Sequence, residues 1–311
     1  MNSGEGAGSC VVSGAGRGIG RAVAVGLAAR AWRVLALDVG CGPDGAGTDK
    51  SPVLGTRDTI EAAGGTVIAD AVDVANADDV DAAVRRAVDR WGPIDAAVNV
   101  AGVLRLGTLE TTPVEDWQQL FAVNVLGAVN VARSVVASWP DGEAPTGRIV
   151  NFTSAAGLEG HPEMAAYSAS KAALIGLTQS MANALASRGA TVNAVAPVAA
   201  TRMAVRGLGM TGSSAELEAE AKTALAPMDI DAEAVVPLIA YLVSPAAAHT
   251  GRVFSNNGWS YSLLGERTVA ATVTATRRSV GSATSEIAAA FESADTARSR
   301  WSTAAAPEPS R

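Results

Sequence analysis

The feature that most constrains the fold of this chain is an alternation between two hydrophobic periods. Short β-branched or apolar runs stand at 10–13 (CVVS), 33–37 (RVLAL), 66–72 (TVIADAV), 94–100 (IDAAVNV), 148–153 (RIVNFT) and 191–196 (TVNAVA). Between them lie longer, alanine-rich amphipathic stretches at 18–31, 54–63, 77–90, 114–138 and 165–187, followed by a helical pattern near 232–243 and a short strand at 252–255. Strands of period two joined by helices of period 3.6 can bury both apolar faces in only one economical way, an α/β doubly wound parallel sheet with helices on both faces. Local signals agree. Asn76 precedes ADDVDAAV as an N-cap with acidic residues in the first turn, and WGP at 91–93 ends that helix.

The pattern runs without an internal repeat or linker from residue 8 to residue 260, which reads as a single domain. It is interrupted once by a long polar insertion, GCGPDGAGTDKSP at 40–52. A serine-, threonine- and alanine-rich C-terminal extension follows over 261–311, with its last residues expected to be disordered. The net charge of −7 and the lack of a basic stripe argue against nucleic acid as a partner. No apolar run is expected to cross a membrane, no export signal is expected, and the reading is cytoplasmic. Cys10 and Cys41 are too few for a disulfide framework. His161 and His249 lack metal-ligand spacing, so no metal site is expected.

The chemistry concentrates in four places. SGAGRGIG at 13–20 sets Gly14, Gly18 and Gly20 between a strand and a helix. Missing side chains and free helix-start amides there suit a pyrophosphate. Asp38 closes the next strand, 18 residues beyond Gly20; its carboxylate suits a ribose with two free hydroxyls and repels a 2′-phosphate, which favours NAD over NADP. Arg17, able to contact a phosphate, pulls the other way. Tyr167 and Lys171 in YSASK share one helix face. Ser154 ends a strand 13 residues before Tyr167, and Asn124 lies in the preceding helix.

Taken together these motifs resemble the short-chain dehydrogenase/reductase superfamily over roughly 250 residues, the size of one α/β domain. The turn matches the family's TGxxxGxG with Ser13 in place of threonine, and NVAG (99–102) matches NNAG except at Val100. The resemblance implies a Rossmann-type fold and an Asn124-Ser154-Tyr167-Lys171 catalytic set. It also implies dinucleotide contacts from Gly14, Arg17, Gly18, Ile19 and Gly20, from Asp38, Asp73 and Val74, and from Asn99, Ala101 and Gly102. Tyr167 and Lys171 complete that set together with Pro197, Val198 and Thr201 of APVAATRM, where Val198 replaces the usual glycine. By this reading Tyr167 exchanges a proton with the substrate oxygen, its phenol made more acidic by the Lys171 ammonium together with the positive charge of the nicotinamide. Ser154 holds that oxygen, Lys171 also grips the nicotinamide ribose, and Asn124 supports a water path to Lys171.

The insertion after Asp38, AGVLR after the NVA turn, and AP-x3-TRM narrow the likeness to the subgroup of (3R)-hydroxyacyl-CoA dehydrogenase-like members. The expected substrate is a small hydrophobic alcohol or ketone facing Leu104, Leu158, Met164 and Met203. A hydroxyacyl thioester and a polyketide-, terpenoid- or steroid-type carbonyl both remain open, and His161 is a further candidate contact. Residues 204–220 read either as a substrate lid or as a surface loop. A nucleotide-binding regulatory module and a non-redox enzyme on the same fold stand as alternatives. Association into a homodimer or homotetramer through the helices at 114–138 and 165–187 is expected.

Overall fold

The computed structural model describes residues 8–140 and 147–265. Seven parallel strands and one antiparallel strand form a single sheet: β1 (Ser9–Ser13), β2 (Arg33–Leu37), β3 (Thr66–Asp70), β4 (Ala96–Asn99), β5 (Arg148–Phe152), β6 (Thr191–Val198), β7 (Val253–Asn257) and β8 (Ser260–Leu263). Their order is β3-β2-β1-β4-β5-β6-β7-β8, with only β8 antiparallel to its neighbour. The helices are α1 (Gly18–Ala28), α2 (Ser51–Ala62), α3 (Ala77–Trp91), α4 (Val114–Phe121), α5 (Gly127–Ala137), α6 (Ala155–Glu159), α7 (Ala165–Leu185), α8 (Arg202–Gly207), α9 (Ser214–Ala224) and α10 (Val236–Val243). This is the doubly wound architecture the alternation requires.

Two apolar layers sandwich the sheet. One packs α1 and α10 on it through Val23, Leu27, Ile239 and Leu242; the other packs α3 and α5 through Val80, Val84, Val131 and Val135. Neighbouring residues of one strand divide between the layers, Val12 facing one and Val11 the other, as a period of two demands. The order reverses between β1 and β4, opening a crevice at the C-terminal strand ends where Ser13 and Asn99 stand side by side. Asn76 caps α3 as its sequence context requires, its Oδ1 accepting from the amides of Asp78 at 3.1 Å and Asp79 at 3.4 Å.

Several boundaries differ from the sequence reading. Helix α2 begins at Ser51 rather than 54, because Pro52 in a first turn gives up no hydrogen bond. The expected helix over 114–138 is broken by a π-helical turn at Ala122–Leu126 between α4 and α5. The whole run Val114–Ala137 is long and apolar enough, by length and composition, to cross a bilayer, contrary to the expectation that none is. Here Leu120, Val131, Ala132 and Val135 of that run are buried in the core. The boundary drawn at 260 cuts a hairpin: β8 pairs with β7 from Asn257↔Ser260 to Phe254↔Leu263. Gly258 turns it at φ +54, where a Cβ would lie 2.4 Å from the Asp229 carbonyl oxygen. Of the expected extension over 261–311, residues 266–311 lie outside the described residues.

Candidate active site

The glycine turn leaves β1 and enters α1 at the reversal of strand order. Gly14 has φ +69, and a Cβ there would lie 2.8 Å from backbone atoms of Ala101, so the β1 and β4 turns touch main chain to main chain. A Cβ on Gly20 would lie 2.0 Å from the Gly14 carbonyl oxygen, so α1 can start this close to the turn only with glycine. Asp38, at the end of β2, is held from below: Oδ2 accepts from the Gly16 amide at 2.7 Å and Oδ1 from the Gly40 amide at 2.6 Å. Each oxygen retains a lone pair for a ribose hydroxyl. Arg17 stands at the N-cap position of α1 without a side-chain cap, donates to the Gly40 carbonyl at 3.3 Å and sits 3.5 Å from Asp49.

The groups expected to react follow β5 and lie on α7. Ser154 is the N-cap of α6, its Oγ accepting from the Ala156 amide at 3.2 Å. Gly157 lets α6 rest against α7, since a Cβ would stand 2.7 Å from the Lys171 carbonyl carbon. Thr153 Oγ1 donates to the Lys171 carbonyl at 2.7 Å, and Lys171 Nζ donates to the Phe152 carbonyl at 2.8 Å. Tyr167 is buried one helical turn earlier, with Lys171 Nζ 5.8 Å from its ring centre.

The electrostatics of the chain alone bear on one half of an expectation, the effect of Lys171 on Tyr167. Burial pushes the Tyr167 phenol up to about 12, and a hydrogen bond with Ser154 draws it back only in part. Burial likewise draws the Lys171 ammonium down to about 8. Desolvation disfavours whichever form is charged, so the acidic phenol inferred from a neighbouring lysine is absent from the protein by itself. At neutral pH Tyr167 carries its proton.

One cavity of about 1150 Å³ joins these parts. It is lined by Gly14, Arg17, Gly18, Ile19, Gly20, Asp38, Asp73, Val74, Ala101, Gly102, Ser154, Tyr167, Lys171, Pro197, Val198 and Thr201. Two residues of the expected catalytic and dinucleotide set are absent from its wall. Asn99 is buried in the sheet, its Nδ2 donating to Asn151 Oδ1 at 2.9 Å. Asn124, in the π-helical turn, spends its amide on fixing the wall: Oδ1 accepts from the Val103 amide at 2.8 Å, and Nδ2 donates to the Val103 carbonyl at 3.1 Å and to Ser170 Oγ at 3.0 Å. It still stands beside Lys171. A Cβ on Gly102 would lie 3.2 Å from Asn124 Oδ1 and 3.3 Å from Lys171 Nζ, and the bare glycine leaves that corner open.

On the substrate side Leu104, Met164 and Met203 line the cavity as expected, with His161, Gly207, Leu208 and Trp259, while Leu158 does not. Residues 204–220 take the form of α8, a short loop and α9, with a small apolar cluster of their own around Val205, Leu217, Ala221 and Leu225. Met203, Gly207 and Ala221 make this pair one wall of the cavity. The polar insertion at 40–52 also reaches it. Cys41, Pro43 and Gly45 line the cavity, and the Leu104 amide donates to the Pro43 carbonyl at 2.8 Å. Periodicity carries no signal for such a strap, whose bond to Leu104 is made by main chain.

Among known proteins, a family model described as short chain dehydrogenase matches residues 9–207. The chain is 37% identical over 252 residues to a 3-oxoacyl-[acyl-carrier-protein] reductase of Synechocystis sp., covering 80% of this chain and 94% of that protein. It is 32% identical over 250 residues to a peroxisomal hydratase-dehydrogenase-epimerase of Neurospora crassa, covering 80% of this chain but only 26% of that longer protein. Its fold superposes on a short chain dehydrogenase from Mycobacterium avium with a TM-score of 0.76 at 30% identity, covering 91% of this chain and 94% of that one. A blue fluorescent protein from a metagenomic library, solved in complex with NADPH, gives a TM-score of 0.66 at 28% identity, covering 81% and 97%.

Proposed function

Because this chain belongs to the short-chain dehydrogenase family, we propose that it is an NAD(H)-dependent oxidoreductase that interconverts a hydrophobic secondary alcohol and its ketone. The observation that supports this most is the meeting of Ser154, Tyr167 and Lys171 with the glycine turn and Asp38 in one cavity. The residues fit a nicotinamide dinucleotide. Gly14 and Gly20 let the turn, β4 and the start of α1 meet main chain to main chain with no side chain between, Gly102 leaves the corner beside Lys171 open, and Asp38 is preset by two amides. The turn from Gly14 to Gly20 would hold the pyrophosphate, Asp38 the adenosine ribose, Asp73 and Val74 the adenine, Lys171 the nicotinamide ribose, and Thr201 with Pro197 and Val198 the carboxamide. Bound there, the dinucleotide supplies the hydride acceptor or donor.

The chain's own work is at the substrate oxygen. Tyr167, protonated at neutral pH, donates from Oη to that oxygen during reduction and takes the proton back during oxidation. Ser154 Oγ–H is a second donor to it, and the apolar wall of Leu104, Met164 and Met203 excludes water and binds the hydrophobic flank. Asn124 is a positioning residue that fixes the Val103 backbone beside Lys171. The substrate class best supported is a 3-oxoacyl or 3-hydroxyacyl thioester, through the likeness to the Synechocystis reductase. Acetoacetyl-CoA is therefore the first probe, followed by bicyclic and steroid ketones. Consumption of NADH with one of them supports the proposal; none across the panel contradicts it.

NAD is favoured over NADP by the Asp38 carboxylate, although one structural relative was solved with NADPH. Asp38→Asn should weaken NADH by about 10- to 100-fold, the worth of a charged hydrogen bond, and bring NADPH closer to it. Wild-type preference for NADPH in the same titration contradicts the assignment. The free thiols of Cys10 and Cys41 suit the reducing cytoplasm. Val114 and Leu126 on α4 and the π-helical turn are exposed and apolar, which favours pairing of two copies there. Sedimentation showing only single chains would rule that out.

A further inference from the structure

One cation in the cavity wall has no role in the chemistry above. Arg202, the first residue of α8, lines the cavity next to Thr201, whose Cγ2 lies 3.3 Å from where a Cβ of Gly18 would stand. The residue therefore sits over the glycine turn. Its Nη1 donates to Ser214 Oγ, the first residue of α9, at 2.6 Å, and no carboxylate lies within ion-pair distance of it among the described residues. Arg17 opposes its charge from across the turn, Asp38 and Glu218 favour it, and burial lowers its pKa. Arg17 itself is matched only by the half-exposed Asp49 at 3.5 Å. Two guanidinium groups that repel each other and line the same cavity as the start of α1 form a site in want of an anion.

We propose that Arg202 clamps the pyrophosphate of the dinucleotide and, through Ser214, ties the α8–α9 pair to the occupied cofactor site. This rests on the dinucleotide reading of the cavity. A 2′-phosphate is the poorer partner, because it would lie against Asp38, whereas the pyrophosphate belongs at the turn beneath Thr201. The link gives α8 and α9 a reason to order over the substrate side once the cofactor is in place, since the same guanidinium meets both.

Binding affinity tests this without turnover. Wild type, R202Q and R202K would be titrated with NADH, NADPH and ADP-ribose, which keeps the pyrophosphate and lacks nicotinamide. R202Q should weaken NADH and ADP-ribose alike by about 10- to 100-fold, with a shallower salt dependence, and R202K should fall between the two. S214A, which keeps the guanidinium and removes only its tether, should hold NADH affinity within about threefold while raising KM for the ketone. NADH and ADP-ribose affinities within twofold of wild type in both Arg202 variants overturn the clamp. A loss confined to NADPH overturns it in favour of a 2′-phosphate contact. Wild type that binds neither NADH nor ADP-ribose removes the dinucleotide reading itself.

Discussion

Tyr167→Phe should lower turnover by about 10²- to 10⁴-fold, the usual worth of a positioned general acid, while NADH affinity stays near that of wild type. The substitution deletes one oxygen from a ring that is buried between α4 and α7, so packing with Leu104, Leu120 and Met164 survives. What goes is the only phenol in the cavity wall and the hydrogen bond it shares with Ser154. The pH profile carries the same information. A phenol held up to about 12 stays protonated across the neutral range, so reduction is level there and alcohol oxidation, which needs the phenolate, rises with pH. Lys171, drawn down to about 8, loses its charge in that rise, and reduction should decline above that pH as its ammonium disappears. Near-normal turnover by the phenylalanine variant, or oxidation independent of pH from neutral to alkaline conditions, would contradict the role given to Tyr167.

Gly20→Val should be the most damaging change in the cofactor half. Its Cβ would lie 2.0 Å from the carbonyl oxygen and 2.6 Å from the carbonyl carbon of Gly14, and neither atom can rotate away as a side chain does. Either α1 withdraws from β1 or the turn opens. We expect a loss of about 3 kcal/mol or more of stability, a fall in Tm and no measurable NADH binding. Gly55→Ala in α2 is the control, because a Cβ there meets nothing within 4 Å; it should gain about 0.5–1 kcal/mol. Tight NADH binding by the valine variant would mean that the turn does not cradle the nucleotide.

The alternation of hydrophobic periods made the sheet legible because each strand's burial is written in its own few residues: RVLAL and RIVNF leave no other way to hide their apolar side chains. Features made by main chain were not legible. A π-helical turn at Ala122–Leu126 keeps a nearly helical apolar pattern, so nothing in FAVNVLG separates it from α-helix. The strap at 40–49 reaches the cavity through main-chain bonds such as Leu104 to Pro43, which no side-chain pattern encodes. Strand β8 was legible in principle, since SYSL alternates directly after a glycine turn.

At the site, the three residues singled out by spacing, Ser154, Tyr167 and Lys171, line one cavity because β5 and α7 fix them by register and helical pitch. The charge balance between Tyr167 and Lys171 in the protein by itself was not legible. Proximity of a cation can be read from four residues of sequence, whereas the desolvation that outweighs it comes from walls contributed by distant segments. Arg202 was visible within TRM, but its lack of a carboxylate partner appears only once α9 has packed beside it.

The central claim is that a hydride and a proton meet at one substrate carbonyl in this cavity, the proton coming from Tyr167. The most direct test supplies NADH deuterated at the transferable position of its ring, with acetoacetyl-CoA or whichever hydrophobic ketone is turned over, and reads the product alcohol by mass spectrometry. One deuterium is expected on the carbinol carbon of each product molecule, with almost no product from the Tyr167→Phe chain under the same conditions. An alcohol formed without deuterium, or formed equally well by that variant, contradicts the claim.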